Sequence, residues 1–370
     1  MSALRRTAVL GCVAVAAGLT VPLTPSPAQS MTPSVAPSAA PATRACPPAA
    51  RARGYSDALD KLKVGGVTLG GLSNLAWDAR KGAFAATVDN NDTDPSRVWF
   101  IRHPARPSVT GKPLVLRKPD GTPYDGVSAD NEGLAILPNG RFVVSSEVEP
   151  SIRIFGRDGV QRDELPVPTR LHVPPTGQAT PNATLEGLTL TPSGNRLVAA
   201  MEGTLSSDVG GSVDTYRRFL VYDRDAHGRF ALTKQIGYRV QPGNRVAEVQ
   251  AYRENRLLVL EAAFSPTTGN SIQIYAVRRV GTSADISGVA NLSAAPAGSI
   301  LGKRLISDVT SCPTLGAPSA EPQTNPLMDN FEAMAIVGEG AKHAQINLVS
   351  DDNFNALQKT RMLRLGAQLP

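Results

Sequence analysis

The sequence is poor in the residues that build soft-metal and nucleophile sites, with 4 histidines and 3 cysteines in 370 residues. It contains no CxxC and no HExxH, which excludes a zinc finger and a zincin. It also lacks a Gly-x-Ser-x-Gly elbow, a GxxxxGK[ST] loop and a dinucleotide glycine pattern, so neither serine-hydrolase nor nucleotide-loop chemistry is supported. Aromatic residues make up only 5% of the chain, and basic residues cluster no further than pairs such as Arg217-Arg218 and Arg278-Arg279. Without a basic block or an aromatic ladder, a nucleic-acid partner is not expected. No segment keeps a long 3.6-residue amphipathic period, which argues against an α/β fold. What is abundant is turn chemistry: 33 glycines and 30 prolines favour many short elements.

The N-terminus reads as an export signal. Arg5 and Arg6 precede an apolar run from Ala8 to Val21, then a small-residue exit ending at Ala28. The run is too short for a membrane span, so no transmembrane segment is expected. Residues 29–50 are rich in Ala, Pro, Ser and Thr and read as a linker, leaving residues 51–370 as the folded domain. Cleavage after Ala28 removes Arg5, Arg6 and Cys12, lowering the formal charge from +6 to +4. The two cysteines that remain, Cys46 and Cys312, lie near opposite ends of the domain. In an exported chain they are expected to form one bridge, the alternative being two free thiols. The chain is expected to be secreted and monomeric.

An internal repeat is the most informative feature. Copies begin at Asn74, Glu132, Glu186, Glu248 and Glu332, and the first four starts are 54 to 62 residues apart. Each copy runs through an apolar strand, a turn and a second apolar strand to a distal polar residue: Asp89, Glu147, Glu202, Glu261 or Asp351. The midpoint between each first and distal residue falls in the turn, so each pair is expected side by side at the open end of a hairpin. Third and fourth strands are visible after most copies. Four-stranded antiparallel units repeated around a centre predict an all-β fold, a β-propeller with five visible blades. A degenerate sixth blade is open, because the last gap contains extra segments at 282–302 and 313–326. The final copy lacks a fourth strand, and residues Leu59 to Leu69 are expected to supply it and close the ring.

Innermost strands line a propeller's channel, so Glu132, Glu186, Glu248 and Glu332 are expected at one mouth. Glu147, Glu202, Glu261, Asp351 and Asp89 would stand beside them, with Asp352 adjacent. Carboxylates this dense must share protons, pair with cations or hold a metal. Calcium suits an all-oxygen set of six to eight ligands. The stretch Asp89-Asn90-Asn91-Asp92-Thr93-Asp94 is oxygen-rich but lacks the EF-hand glycine and distal glutamate.

The blocks Asp130-Asn131-Glu132-Gly133-Leu134-Ala135, Leu185-Glu186-Gly187-Leu188-Thr189 and Asn330-Phe331-Glu332-Ala333-Met334-Ala335 resemble the "esterase-like activity of phytase" family. So do Gly71-Leu72-Ser73-Asn74-Leu75 and Ser350-Asp351-Asp352-Asn353, and the resemblance covers about Val67 to Leu365. It implies an exported bacterial protein acting on a small-molecule phosphate ester. Ala247-Glu248-Val249-Gln250 departs from the pattern by lacking the glycine. The expected function is a metal-dependent phosphoesterase, with Glu132, Glu186, Glu332 and Glu147 as candidate catalytic groups. Paired carboxylates on a propeller also suit a glycosidase, and the separation of the carboxylates would decide. The non-enzyme alternative is a propeller that binds a cell-wall, protein or small-molecule ligand around structural calcium.

Overall fold

In the computed structural model, residues 44–89, 92–209, 214–340 and 343–370 are described. The expected signal peptide and most of the linker lie outside them. The unit from Thr43 to Pro370 is a ring of five antiparallel sheets, a five-bladed β-propeller. Blade 1 comprises Ala76–Asp78, Ala83–Thr87 and Arg97–Arg102, with the short strands Ser108–Val109 and Leu114–Val115 on its outer side. Blade 2 is Asn131–Ile136, Phe142–Ser146, Ser151–Phe155 and Gln161–Leu165. Blade 3 is Leu185–Leu190, Arg196–Met201, Tyr216–Arg224 and Phe230–Arg239. Blade 4 is Arg245–Arg253, Arg256–Ser265, Gly269–Arg278 and Lys303–Asp308. Blade 5 starts with Phe331–Gly340, His343–Ser350 and Met362–Ala367. Among the described residues the only helical elements are three single-turn 3-10 segments.

The near-continuous apolar strands have a direct cause. Each blade is covered on both faces, so alternate residues enter two different cores. Leu197 and Ala199 pack between blades 2 and 3, while Val198 and Ala200 pack between blades 3 and 4. Leu257 and Val259 likewise face blade 3, and Leu258 and Leu260 face blade 5. Five such clusters fill the five gaps between neighbouring blades. This burial on both faces supplies the main stabilisation, about 1.5–3 kcal/mol for each fully buried Leu, Val, Ile or Phe.

The ring closes differently from the sequence expectation. Ala50–Ser56 pairs antiparallel with Met362–Ala367, matching Ala50 to Ala367 and Ser56 to Met362, and Ala45–Cys46 adds a fifth strand. In that closing strand Ala50 and Ala52 are buried while Arg51 and Arg53 are exposed, the alternation of a half-covered outer strand. Residues 59–69 instead carry a two-stranded hairpin, Lys63–Val64 with Val67–Thr68, and bury Leu59 and Leu69 between blades 1 and 5. The folded chain thus begins inside the span expected as linker. Cys46 and Cys312 form the expected disulfide, 266 residues apart in sequence, and it fastens the closing segment beside blade 4.

The two extra segments form no sixth blade among the described residues. The guanidinium of Arg218 donates to the carbonyls of Ile286 and Val289 at 3.1 and 2.7 Å, tying the first segment to blade 3. Arg361 donates to the carbonyls of Pro318, Pro326 and Leu327 and so holds the second. Each arginine is itself buried and paired with an aspartate, Asp208 or Asp57.

Candidate active site

In blades 2 to 5 the first acid of the repeat sits at an irregularity in the inner strand. In blade 2 the register shifts between Asn131 and Leu134, and in blade 3 between Leu185 and Leu188. The bulge carries the distal acid past its expected neighbour. The Glu147 amide donates to Asp130 O at 2.9 Å, and the Glu202 amide to Thr184 O at 2.8 Å. Asp351 meets Asn330 in the same way, and Asp89 meets Gly71. In blades 2, 3 and 5 the side-by-side placement expected from hairpin midpoints is therefore corrected by two residues, one from the register of the turn and one from the bulge, which adds a residue to one strand only.

The glycine after the glutamate is explained by the neighbouring blade. A Cβ on Gly133 would lie 2.3 Å from Leu188 Cβ and 2.7 Å from Glu186 O. A Cβ on Gly187 would lie 2.7 Å from Val249 N. Inner strands approach so closely at the bulge that only glycine fits in blades 2 and 3.

The bulged ends surround a cavity of about 540 Å³ at one mouth of the ring. Asp89, Asp92, Asp130, Glu132, Glu147, Glu186, Glu202, Glu332 and Asp351 line it, against a single cation, Arg245. Three sets of carboxylate oxygens lie within 4.8 Å of one another: Asp89, Asp130 and Glu132; Glu132, Glu186 and Glu332; Glu147, Glu186 and Glu202. Burial pushes the Glu132 carboxyl well above its usual range, and Glu186, Asp130 and Glu147 push it further. Burial does the same to Glu186, with Glu202 and Glu147 adding to it. Asp89 and Asp351 are raised by burial, Asp89 further by Glu332 and Asp351 further by Asp89. Glu147 is pushed up to about 8 by burial and by Glu202, although the Thr184 amide donates to it at 2.6 Å. Burial also raises Glu202, against the pull of Arg245.

Burial works against the Arg245 charge, but Glu332, Glu202 and Glu186 outweigh it and hold the guanidinium firmly protonated. Its Nη1 donates to Glu186 and Glu202 at 3.0 and 2.9 Å. Its Nη2 donates to Asn330 at 3.0 Å and to Glu332. One side chain from blade 4 thus ties blade 3 to blade 5.

The family model "Phytase-like: Esterase-like activity of phytase" matches residues 67–354. The chain belongs to this phytase-like family. No curated protein sequence matches it. Similar solved structures include a periplasmic gluconolactonase from Pseudomonas aeruginosa, at 10% identity and TM-score 0.34, covering 82% of this chain and 87% of that one. Another is a protein of unknown function from Bacteroides caccae, at 9% identity and TM-score 0.35, covering 75% of this chain and 70% of that one. Likenesses this distant carry no argument about what the phytase-like domain acts on.

Three of the expected metal ligands lie outside the bowl of this phytase-like propeller. Glu248 is fully buried and accepts from the Val249 and Leu188 amides and from Asn74 Nδ2. Asn74 belongs to the opposite side of the ring, so this contact bridges the channel between two blades that are not neighbours. Glu261 is fully buried as well, bonded to Tyr238, Gln241, Asn244 and Lys303. Asp352 pairs with Lys61 and accepts from the Gly71 amide at 3.0 Å. A buried carboxylate already surrounded by donors has little left to offer an ion. Asn90 and Asn91 of the oxygen-rich loop lie outside the described residues.

Arg245 escaped the sequence reading, and so did Asp130 as a lining carboxylate and Asn182 and Phe354 as rim residues. Asp130 stands two residues before Glu132, inside a motif already in view. The signal for Arg245 was the departure of the fourth repeat, which drops the glycine and carries an arginine three residues before its glutamate.

Proposed function

We propose that the protein is an exported hydrolase of small-molecule phosphate esters, working with a hard divalent cation, calcium by preference, held in the carboxylate bowl. One observation carries the reading. Among the described residues nine carboxylates face one cavity against a single arginine, and no N–H or hydroxyl donor reaches the buried Asp89 Oδ1 and Asp351 Oδ2. Among the described residues no histidine or cysteine lines the bowl, and an all-oxygen donor set suits calcium rather than a softer ion. Membership in the phytase-like family supports the substrate class. Export is supported by the basic-then-apolar N-terminus and by the disulfide. No helix among the described residues is long and apolar enough to cross a membrane.

A cation bound in the bowl supplies positive charge to phosphoryl oxygens as negative charge develops on them. The chain contributes the rest. Arg245 offers fixed positive charge beside the same oxygens, with a guanidinium already oriented by three glutamates. Glu147 and Glu186 have oxygens within 4.8 Å of each other and raised proton affinities. They are placed to orient water and to hold a proton for the leaving oxygen.

The test uses chelator-stripped protein with calcium added back. Hydrolysis of a phosphomonoester, a phosphodiester and phytate is measured beside a Glu132→Gln, Glu186→Gln double variant. Calcium-dependent turnover that disappears in a still-folded double variant supports the reading. If all three substrates stay intact while calcium raises only the melting temperature, the bowl is a structural cation site and the hydrolase reading fails.

A further inference from the structure

The bowl is not electrostatically uniform. Of its three carboxylate triads, two contain direct partners of Arg245: Glu186 and Glu332 in one, Glu186 and Glu202 in the other. The third, Asp89 with Asp130 and Glu132, contains none of the residues that Arg245 bonds. The guanidinium therefore neutralises the side formed by blades 3 and 5. The carboxylates of Asp89, Asp130 and Glu132, on blades 1 and 2, make no such bond to it.

Independent features mark that second side as built to receive something. Asp351 is 1% exposed and lines the cavity, yet no N–H or hydroxyl of the described residues reaches its Oδ2. Asp89 Oδ1 is likewise buried without such a donor, and the two carboxyls neighbour each other. Next to Asp89 stands Gly71, at φ +61°, where a Cβ would come within 2.8 Å of that same Oδ1. Buried carboxylate oxygens are costly to leave bare, so a cation or protons must compensate them.

We propose that Arg245 is a built-in cation occupying one of two cation seats in the bowl. The other, formed by Asp89, Asp130, Glu132 and Asp351, is then the single seat for a divalent ion. This rests on the reading of the bowl as a cation site but not on any catalytic step. It deepens that reading by setting the stoichiometry at one and by dividing the roles. The carboxylates of blades 1, 2 and 5 around Asp89 hold the ion, and those around Arg245 hold the arginine. The guanidinium is already engaged by Glu186, Glu202, Asn330 and Glu332, so the exchangeable ion is the centre left to meet an anionic ligand such as a phosphate group.

Calcium titration by calorimetry on the chelator-stripped protein tests this without reference to turnover. The wild type is expected to bind one ion in the bowl. Asp89→Asn and Asp130→Asn should each weaken that binding at least tenfold, while Glu202→Gln should change it less than threefold. These variants remove negative charge from an overcharged site, so loss of fold is not their expected effect. Arg245→Gln should open the second seat and raise the stoichiometry to two, and Arg245→Lys, which keeps one positive charge, should leave it at one. Equal weakening by Glu202→Gln and Asp130→Asn, or a stoichiometry of one in folded Arg245→Gln, would overturn the division of the bowl while leaving a cation site standing. No calcium binding in the wild type would overturn the cation reading itself.

Discussion

Removing every divalent ion should make this protein lose stability as pH rises from about 5 to 8, the opposite of ordinary acid denaturation. The perturbation is chelation, and the responsible groups are the buried carboxylates of the bowl. Glu147 has an ordinary value of 4.5 and is pushed up to about 8 in the folded chain, and Asp89, Glu132, Glu186 and Asp351 are raised as well. Between those limits the folded chain holds protons that the unfolded chain has released, so each further pH unit favours unfolding. One retained proton costs about 1.4 kcal/mol per pH unit. If two protons are retained, the loss between pH 5.5 and 7.5 is about 6 kcal/mol, comparable to the whole net stability of many domains. In a domain of this size that corresponds to a fall of about 10 °C in melting temperature. Calcium should reverse it: an ion at a hundred times its dissociation constant contributes about 2.7 kcal/mol, or about 5 °C. Thermal melts across pH 5 to 8, in chelator and in millimolar calcium, read both effects. A chelated profile that is flat or rises with pH, together with no calcium shift at pH 7.5, would refute the reasoning. It would mean that the carboxylates are already compensated by the chain.

Gly133→Ala should destabilise the fold by about 3 kcal/mol in a denaturant titration, because the new methyl overlaps Leu188 and the Glu186 carbonyl across a blade interface. A loss under 1 kcal/mol would mean that the inner strands can separate more easily than their packing implies. Reducing the disulfide, or replacing Cys46 and Cys312 with serine, should cost about 5 kcal/mol, since the bridge closes a 266-residue loop in the unfolded chain. Unchanged unfolding midpoints would show that the strand pairing of Ala50–Ser56 with Met362–Ala367 closes the ring alone.

The repeats were readable because each blade repeats one local pattern: a polar residue, an apolar strand, a turn and a second apolar strand. Burial on both faces makes those strands apolar throughout, and a turn must separate them. The closing strand was not readable. Ala50-Arg51-Ala52-Arg53 carries too little apolar surface to stand out, while Leu59 and Leu69 are conspicuous yet serve as packing under a hairpin. Spacing placed most of the acids at the right end of the ring, since the two strands of a hairpin bring their ends together. It missed the bulge that shifts their register, because a bulge of this kind is set by how closely the next blade approaches.

The sequence by itself determined the all-β class, the five visible repeats and the gathering of acidic residues at strand ends, which follow from local periodicity and residue chemistry; that no sixth blade joins them among the described residues, and that Cys46 and Cys312 are bridged, came from the tertiary structure. Only the tertiary structure decided which acids face the cavity. Glu248 and Glu261 occupy the same repeat positions as the others, yet Asn74 and Lys303 take them up, at separations of 174 and 42 residues. Arg245 reaches partners 43, 59 and 87 residues away. Contacts across a closed ring depend on which blades it brings together, and no local pattern along the chain records that.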